Sequence, residues 1–244
     1  MLRRAIPAII GLLAVVSTAF AEQALAPPAG SGGVSIGRRI AYHAESFVGK
    51  SYDTDPLGEY VRREVVVADE RVDCMYLTFR AVELALSRAP EEAVQKALDL
   101  RFPGRGVLEG ERVVNYDERF QFGEDMIDSG KFGTEITARL GKTTGIAGSR
   151  GRKTVQILDR SGATAAVPAL ASGDIIYFIK DPAKRVVGEI VGHIGFVSRD
   201  SAPESACLIH ASGRKNSGGS VKKVSLSDYL MNMPFIGVRI TRFE

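Results

Sequence analysis

The sequence is poor in groups that do chemistry. It holds three histidines and two cysteines in 244 residues, so each can be weighed singly. Two cysteines cannot frame a small disulfide-rich fold, and a chain of this length can build its core without a staple. A Cys74–Cys207 bridge is still the ordinary alternative for an exported chain, and it would remove any thiolate role for Cys74. Excess charge is also missing: 32 Lys and Arg face 29 Asp and Glu, a formal +3. Both Arg3 and Arg4 fall in an N-terminal segment expected to be removed, which leaves +1. A near-neutral chain gives no case for nucleic-acid binding. There is no internal repeat.

The N-terminal apolar run, residues 5–20, is short for a membrane span and contains Pro7 and Gly11. Arg3 and Arg4 precede it, and Ala19-Phe20-Ala21 fits small-x-small cleavage. Residues 1–21 therefore read as a cleaved secretory signal, with export to the periplasm and no stable membrane anchor. No cysteine follows the small residues, which excludes a lipid-anchored cysteine there. Residues 22–33, "EQALAPPAGSGG", read as a flexible leader to a single domain over 34–244.

What remains is ordered as helices first and strands after. Ile36, Ile40, Ala44 and Phe47 share one helical face within residues 35–49, and Gly49 is a plausible stop. Residues 74–88 are apolar almost all round, the mark of a central buried helix, and Asp73 before them is a good N-cap. A second helix is expected from Pro90 to Leu98. "GKTTGIAGSRGRK" reads as exposed loop, and "KTVQILD" and "ATAAVPA" as a hairpin across Arg160–Gly162. Four strands are expected at 173–179, 191–198, 206–212 and 235–243, with a short helix over 226–233 capped by Ser225 or Ser227. The fold class is α+β with antiparallel strands.

Alternation along "VGHIGFV" puts His193 with Gly195 and Val197 on one face. His210 in "CLIHAS" shares a face with Leu208 and opposes Cys207. If these strands pair antiparallel, the two imidazoles can meet. His43, on the first helix, is given no role. The pattern asks for nucleophilic chemistry. A free thiol is only a minor thiolate at neutral pH, a helix N-terminus favours the anion, and an imidazole can take the proton. A third polar residue fixes the tautomer of the base. Zinc held by Cys74, His193 and His210 would lack a fourth ligand, so no metal or other cofactor is expected.

"VDCMYLTFRAVELAL", "GDIIYFI…VGHIGFVS" and "CLIHAS" together resemble the NlpC-type cysteine peptidases, papain-like enzymes of bacterial cell-wall turnover. The branch most similar is the N-acetylmuramoyl-L-alanine amidase-like one, with its long middle segment and closing "GVRITRF"-like strand. The resemblance implies a papain-like fold: N-terminal helices, including the buried one that starts at the cysteine, on an antiparallel, partly barrel-like sheet, with an insertion at about 88–170. It implies Cys74 as nucleophile, His193 as general base and acid, and His210 as the orienting residue. Asp73 would help receive a substrate amine, and Tyr52 would line the site. The implied activity is hydrolysis of an amide bond in peptidoglycan or a muropeptide through a thioester. An acyltransferase using the same three residues, or a non-catalytic cell-wall binding module, is the alternative.

Overall fold

Side-chain caps open both long N-terminal helices. In the computed structural model, which describes residues 33–199 and 206–244, Ser35 accepts the Arg38 N–H at the start of α1 (Ile36–Ser46). Asp73 does the same for Tyr76 ahead of α3 (Cys74–Ala85). Such caps satisfy donors the helix cannot pair internally. A one-turn helix, α2 (Glu59–Arg62), lies between them. Every residue of α3 from Tyr76 to Ala85 is buried, because α1, α4 (Pro90–Leu100) and the sheet cover it on different sides. Full burial of one side chain such as Phe79 contributes about 1.5–3 kcal/mol. Short helices complete the set: α5 (Gly123–Ser129), α6 (Thr137–Leu140), α7 (Arg160–Ala166) and α8 (Leu226–Asn232). None of the described helices is long and apolar enough to cross a membrane.

The expected secretory signal and nearly all of the leader lie outside the described residues. The strands are β1 (Ser51–Tyr52), β2 (Arg71–Val72), β3 (Leu108–Glu109), β4 (Arg112–Val113), β5 (Thr134–Glu135) and β6 (Thr144–Ala147). They continue with β7 (Thr154–Asp159), β8 (Ile175–Ile179), β9 (Val191–Arg199), β10 (Ala206–Arg214), β11 (Gly218–Ser225) and β12 (Gly237–Arg242). The main sheet runs β2-β1-β11-β10-β9-β8-β12-β7-β6, and β5 pairs with β12. β8 is buried at all five residues, as a central strand covered on both faces must be. One apolar cluster joins the sheet to α1 and α3; a second joins its other side chains to α7 and α8.

The α+β class holds, with four corrections. The sheet is mixed, since β1 and β2 pair in parallel, and among the described residues it does not close into a barrel. Residues 163–169 are not a strand: Asp159 accepts the Gly162 N–H at 2.7 Å and caps α7, and a 3-10 turn follows at Val167–Ala169. The partners of β7 are instead β6 and β12. The glycine- and threonine-rich stretch after Gly141 contains β6, an exposed edge strand. β11 was not expected at all, yet it pairs with β10 over eight residues.

Two backbone contacts hold the chain's early elements to its late ones. β1 is stitched to β11 at Ser51 and Ser220, and the Gly49 N–H donates to the Val221 carbonyl at 2.9 Å. The start of α1 meets the turn before β8 at Gly37 and Gly173; a Cβ on Gly173, whose φ is +86°, would overlap the Gly37 carbonyl.

Candidate active site

Cys74 is the first residue of α3 and is half-buried; Asp73 ahead of it is buried. The thiol meets β9 at the backbone of Ile194, the residue after His193. Both cysteines are free, so the Cys74–Cys207 bridge is not made. β9 and β10 pair antiparallel with His210 opposite Gly195, and this brings the imidazoles together: His193 Nε2 lies 2.8 Å from His210 Nδ1. With Nε2 engaged, Nδ1 is the His193 nitrogen left to serve a substrate or the thiol. No hydrogen bond among the described residues joins the Cys74 thiol to either ring in this structure.

The rings sit in an aromatic surround that sequence reasoning missed. His193 stacks on Phe178, its cross-strand partner, at 5.9 Å between centroids, and on Phe235 at 6.3 Å. Tyr229 of α8 packs edge-on to His210 at 4.9 Å and lies 6.4 Å from His193. Tyr229 also lies near enough to Cys74 for a thiolate there to disfavour its phenolate, so its ring borders both halves of the site. Nothing in "LSDYLMNM" signals this, because the contact is set by how α8 crosses the end of β10.

Burial decides the protonation states. It pushes the Cys74 thiol up to about 12, and the neighbouring Asp73 charge adds to the rise; the Ile194 backbone and the Lys215 ammonium pull the other way. Loss of hydration thus works against the thiolate that a helix N-terminus favours. His193 is lowered to about 3 by burial and then by His210, and His210 to about 4 by burial and then by Lys222. At neutral pH the site therefore rests as a thiol with two neutral imidazoles.

Asp73 and Tyr52 lie together at one side of the cysteine, joined by Lys215 from the turn between β10 and β11. Asp73 Oδ1 accepts the Tyr76 N–H at 2.8 Å, and Lys215 Nζ donates to Oδ2 at 2.9 Å. The same ammonium stands 5.7 Å from the centroid of the Tyr52 ring. Tyr52 lies against Gly213, where any side chain would collide with it. His43 is buried on α1, away from this group, and its Nδ1 has no partner. Among the described residues, no three His, Cys, Asp or Glu side chains gather as a metal site.

No protein-family model and no curated protein matches this chain. Solved structures do. An N-acetylmuramoyl-L-alanine amidase from Bacteroides uniformis ATCC 8492 is 20% identical, with a TM-score of 0.64 over 85% of this chain and 98% of that one. A Legionella pneumophila protein of the DUF1460 family is 18% identical, with a TM-score of 0.64 over 85% and 88%. A Bacteroides fragilis protein named as a candidate xylanase is 18% identical, at 0.59 over 82% and 99%. At these identities the likeness is one of fold.

Proposed function

We propose that the protein is an exported cysteine hydrolase of a papain-like, NlpC-type fold that cleaves an amide bond in peptidoglycan. The bond is the one between the sugar's lactyl group and L-Ala, or one within the stem peptide. The observation that carries the reading is the hydrogen-bonded His193–His210 pair on β9 and β10, one residue along β9 from the backbone that the Cys74 thiol touches. The name of the Bacteroides uniformis amidase of similar fold supports the substrate class.

In this reading His193 keeps its proton on Nε2 and donates it to His210 Nδ1, leaving Nδ1 unprotonated. The sulfur attacks the amide carbonyl carbon as its proton passes to His193 Nδ1. Because the resting pair is neutral, the two events are coupled: bonding to carbon removes the charge that burial disfavours on sulfur. The Cys74 backbone N–H, at the first helical position where the helix supplies no acceptor, serves the oxyanion. Collapse breaks the C–N bond, and His193 returns the proton to the leaving amine. Water then attacks the thioester, giving its proton to His193, and a carboxylic acid leaves with the thiol restored. Catalytic hydrogen bonds are often long without substrate, so the thiol and His193 need close only in the complex. Residues 88–170 are read as an insertion shaping the cleft.

The test is to incubate the protein with intact peptidoglycan and defined muropeptides and identify products by mass spectrometry. Cleavage at one amide bond, lost in a folded Cys74→Ala variant, is expected. Retained cleavage by that variant sinks the assignment. Adding an amine acceptor distinguishes hydrolysis from acyl transfer.

A further inference from the structure

We infer that Lys215 fixes the substrate class by filling the carboxylate of Asp73, so that the site takes peptides whose N-terminal nitrogen is acylated and refuses those with a free α-amine. The inference rests on the peptide-amide reading of the site above. A carboxylate next to a nucleophile is the natural seat for a substrate ammonium. Here each of its oxygens already has a partner: Oδ1 caps α3, and Oδ2 holds the Lys215 ammonium at 2.9 Å, which supplies the positive charge a substrate amine would otherwise bring. The Asp73 side chain is 11% exposed and that of Lys215 is 32%, so the lysine, not the carboxylate, presents itself to an incoming ligand. The Tyr52 ring 5.7 Å from the ammonium gives the charge a second partner and holds it in place.

Two consequences follow for a ligand. An ammonium placed there would face another ammonium across a neutralised carboxylate, which is repulsive. An acyl carbonyl, by contrast, can accept one of the N–H donors Lys215 has left. The favoured substrate is therefore a peptide still joined through an amide to the group before it, such as one attached to its sugar. Free stem peptides, the products of an earlier cut, are refused. Asp73 becomes a positioning residue for Lys215 and α3, rather than the amine receptor the resemblance implies.

The experiment measures binding to the Cys74→Ala protein by titration calorimetry, so effects of Lys215 on thiol reactivity drop out. The probes are a stem peptide beginning with free L-Ala and the same peptide N-acetylated. The acetylated form is expected to bind more tightly. Adding Lys215→Met, which frees Asp73 Oδ2, is expected to move the affinity ratio about tenfold toward the free amine. Lys215→Arg should preserve the original ratio, and circular dichroism checks that each variant folds. A ratio unmoved by Lys215→Met, a preference for the free amine with Lys215 present, or binding of neither peptide overturns the inference. If Cys74-dependent cleavage of peptidoglycan occurs while the ratio stays fixed, only the role of Lys215 fails. If the ratio shifts but no amide is cleaved, it is the hydrolase reading that fails.

Discussion

Glu83 is the residue whose loss should cost the fold most per atom removed. It sits in the middle of α3 with its side chain 0% exposed, against an Arg101 side chain that is 1% exposed. Arg101 donates to it twice, from Nε at 2.7 Å and Nη2 at 2.9 Å, and Arg80 Nη1 adds a third bond at 3.1 Å. Arg80 has a second carboxylate, Asp69, held at 2.7 and 2.9 Å. Among the described residues Arg101 has no second carboxylate; its guanidinium otherwise faces the rings of Tyr60, Tyr76 and Phe79 and neighbours the Tyr116 phenol. Glu83→Ala therefore leaves a buried cation with ring faces and a neutral phenol for company, and no counter-charge. Breaking one side of a buried pair costs about 3–5 kcal/mol, which for a domain of this size lowers the melting temperature by about 6–20 °C. Removing both charges is a different perturbation. Glu83→Met with Arg101→Met leaves Arg80 on Asp69 and should recover most of the loss, because the desolvation cost of both ions disappears with them. The assay is urea denaturation of Glu83→Ala and of the wild type, Glu83→Met, Arg101→Met and the double Met variant, the last four read as a double-mutant cycle. A loss below about 1 kcal/mol for Glu83→Ala, or simple additivity in the cycle, refutes the argument that Arg101 depends on this carboxylate.

Three further outcomes can be measured. Alkylation of Cys74 by iodoacetamide, scored by peptide mass mapping, should be slow at pH 7 and keep accelerating above pH 9, since burial holds the thiol up to about 12; a rate already at its plateau at neutral pH refutes a resting thiol. Stability should fall as pH drops from about 6.5 toward 4.5, a window above the ordinary carboxylate range. The sign follows from three lowered histidines, His43 to about 4, His193 to about 3 and His210 to about 4, so the unfolded chain binds protons there that the folded chain refuses. Urea midpoints that stay level across that window contradict it, and His210→Asn should flatten the slope. Gly173→Ala should destabilise by at least about 2 kcal/mol by thermal denaturation, because a side chain there meets the Gly37 carbonyl and the backbone is left-handed; a neutral substitution refutes the close contact.

The parts of the site legible in the sequence were those written in local pattern. Asp73 before an apolar run reads as a cap, and the structure places it as one. The period of two in "VGHIGFV" and "CLIHAS", with antiparallel pairing, is enough to bring His193 to His210. What stayed hidden depends on distant partners. Lys215 stands in a turn, where a lysine reads as solvated, and only the position of β11 and β10 over the start of α3 delivers it to Asp73. Glu83 has a local partner in Arg80 one turn back, but its main partner Arg101 lies beyond the next helix, out of reach of any local pattern. β11 carries two glycines and two lysines, a poor strand by composition, and is held by β10 on one side and β1 on the other. Residues 163–169 were misread because alanine and valine suit either state, and the Asp159 cap decides for helix.

The stitching of β1 to β11, and of α1 to the turn at Gly173, has a consequence for how the molecule comes into being. The thiol belongs to the early part of the chain, while His193, His210, Lys215 and Tyr229 all belong to the late part. On the proposed reading, a growing chain, or one cut anywhere between residues 75 and 192, owns the nucleophile or the base but not both. α1 can pack on α3 and β1 can pair with β2 early, but their seams to the late half wait until β8 and β11 exist to receive them. The proposed activity would then be a property of the finished polypeptide, and two inert fragments divided in that interval should regain it only by reassembling along these same seams.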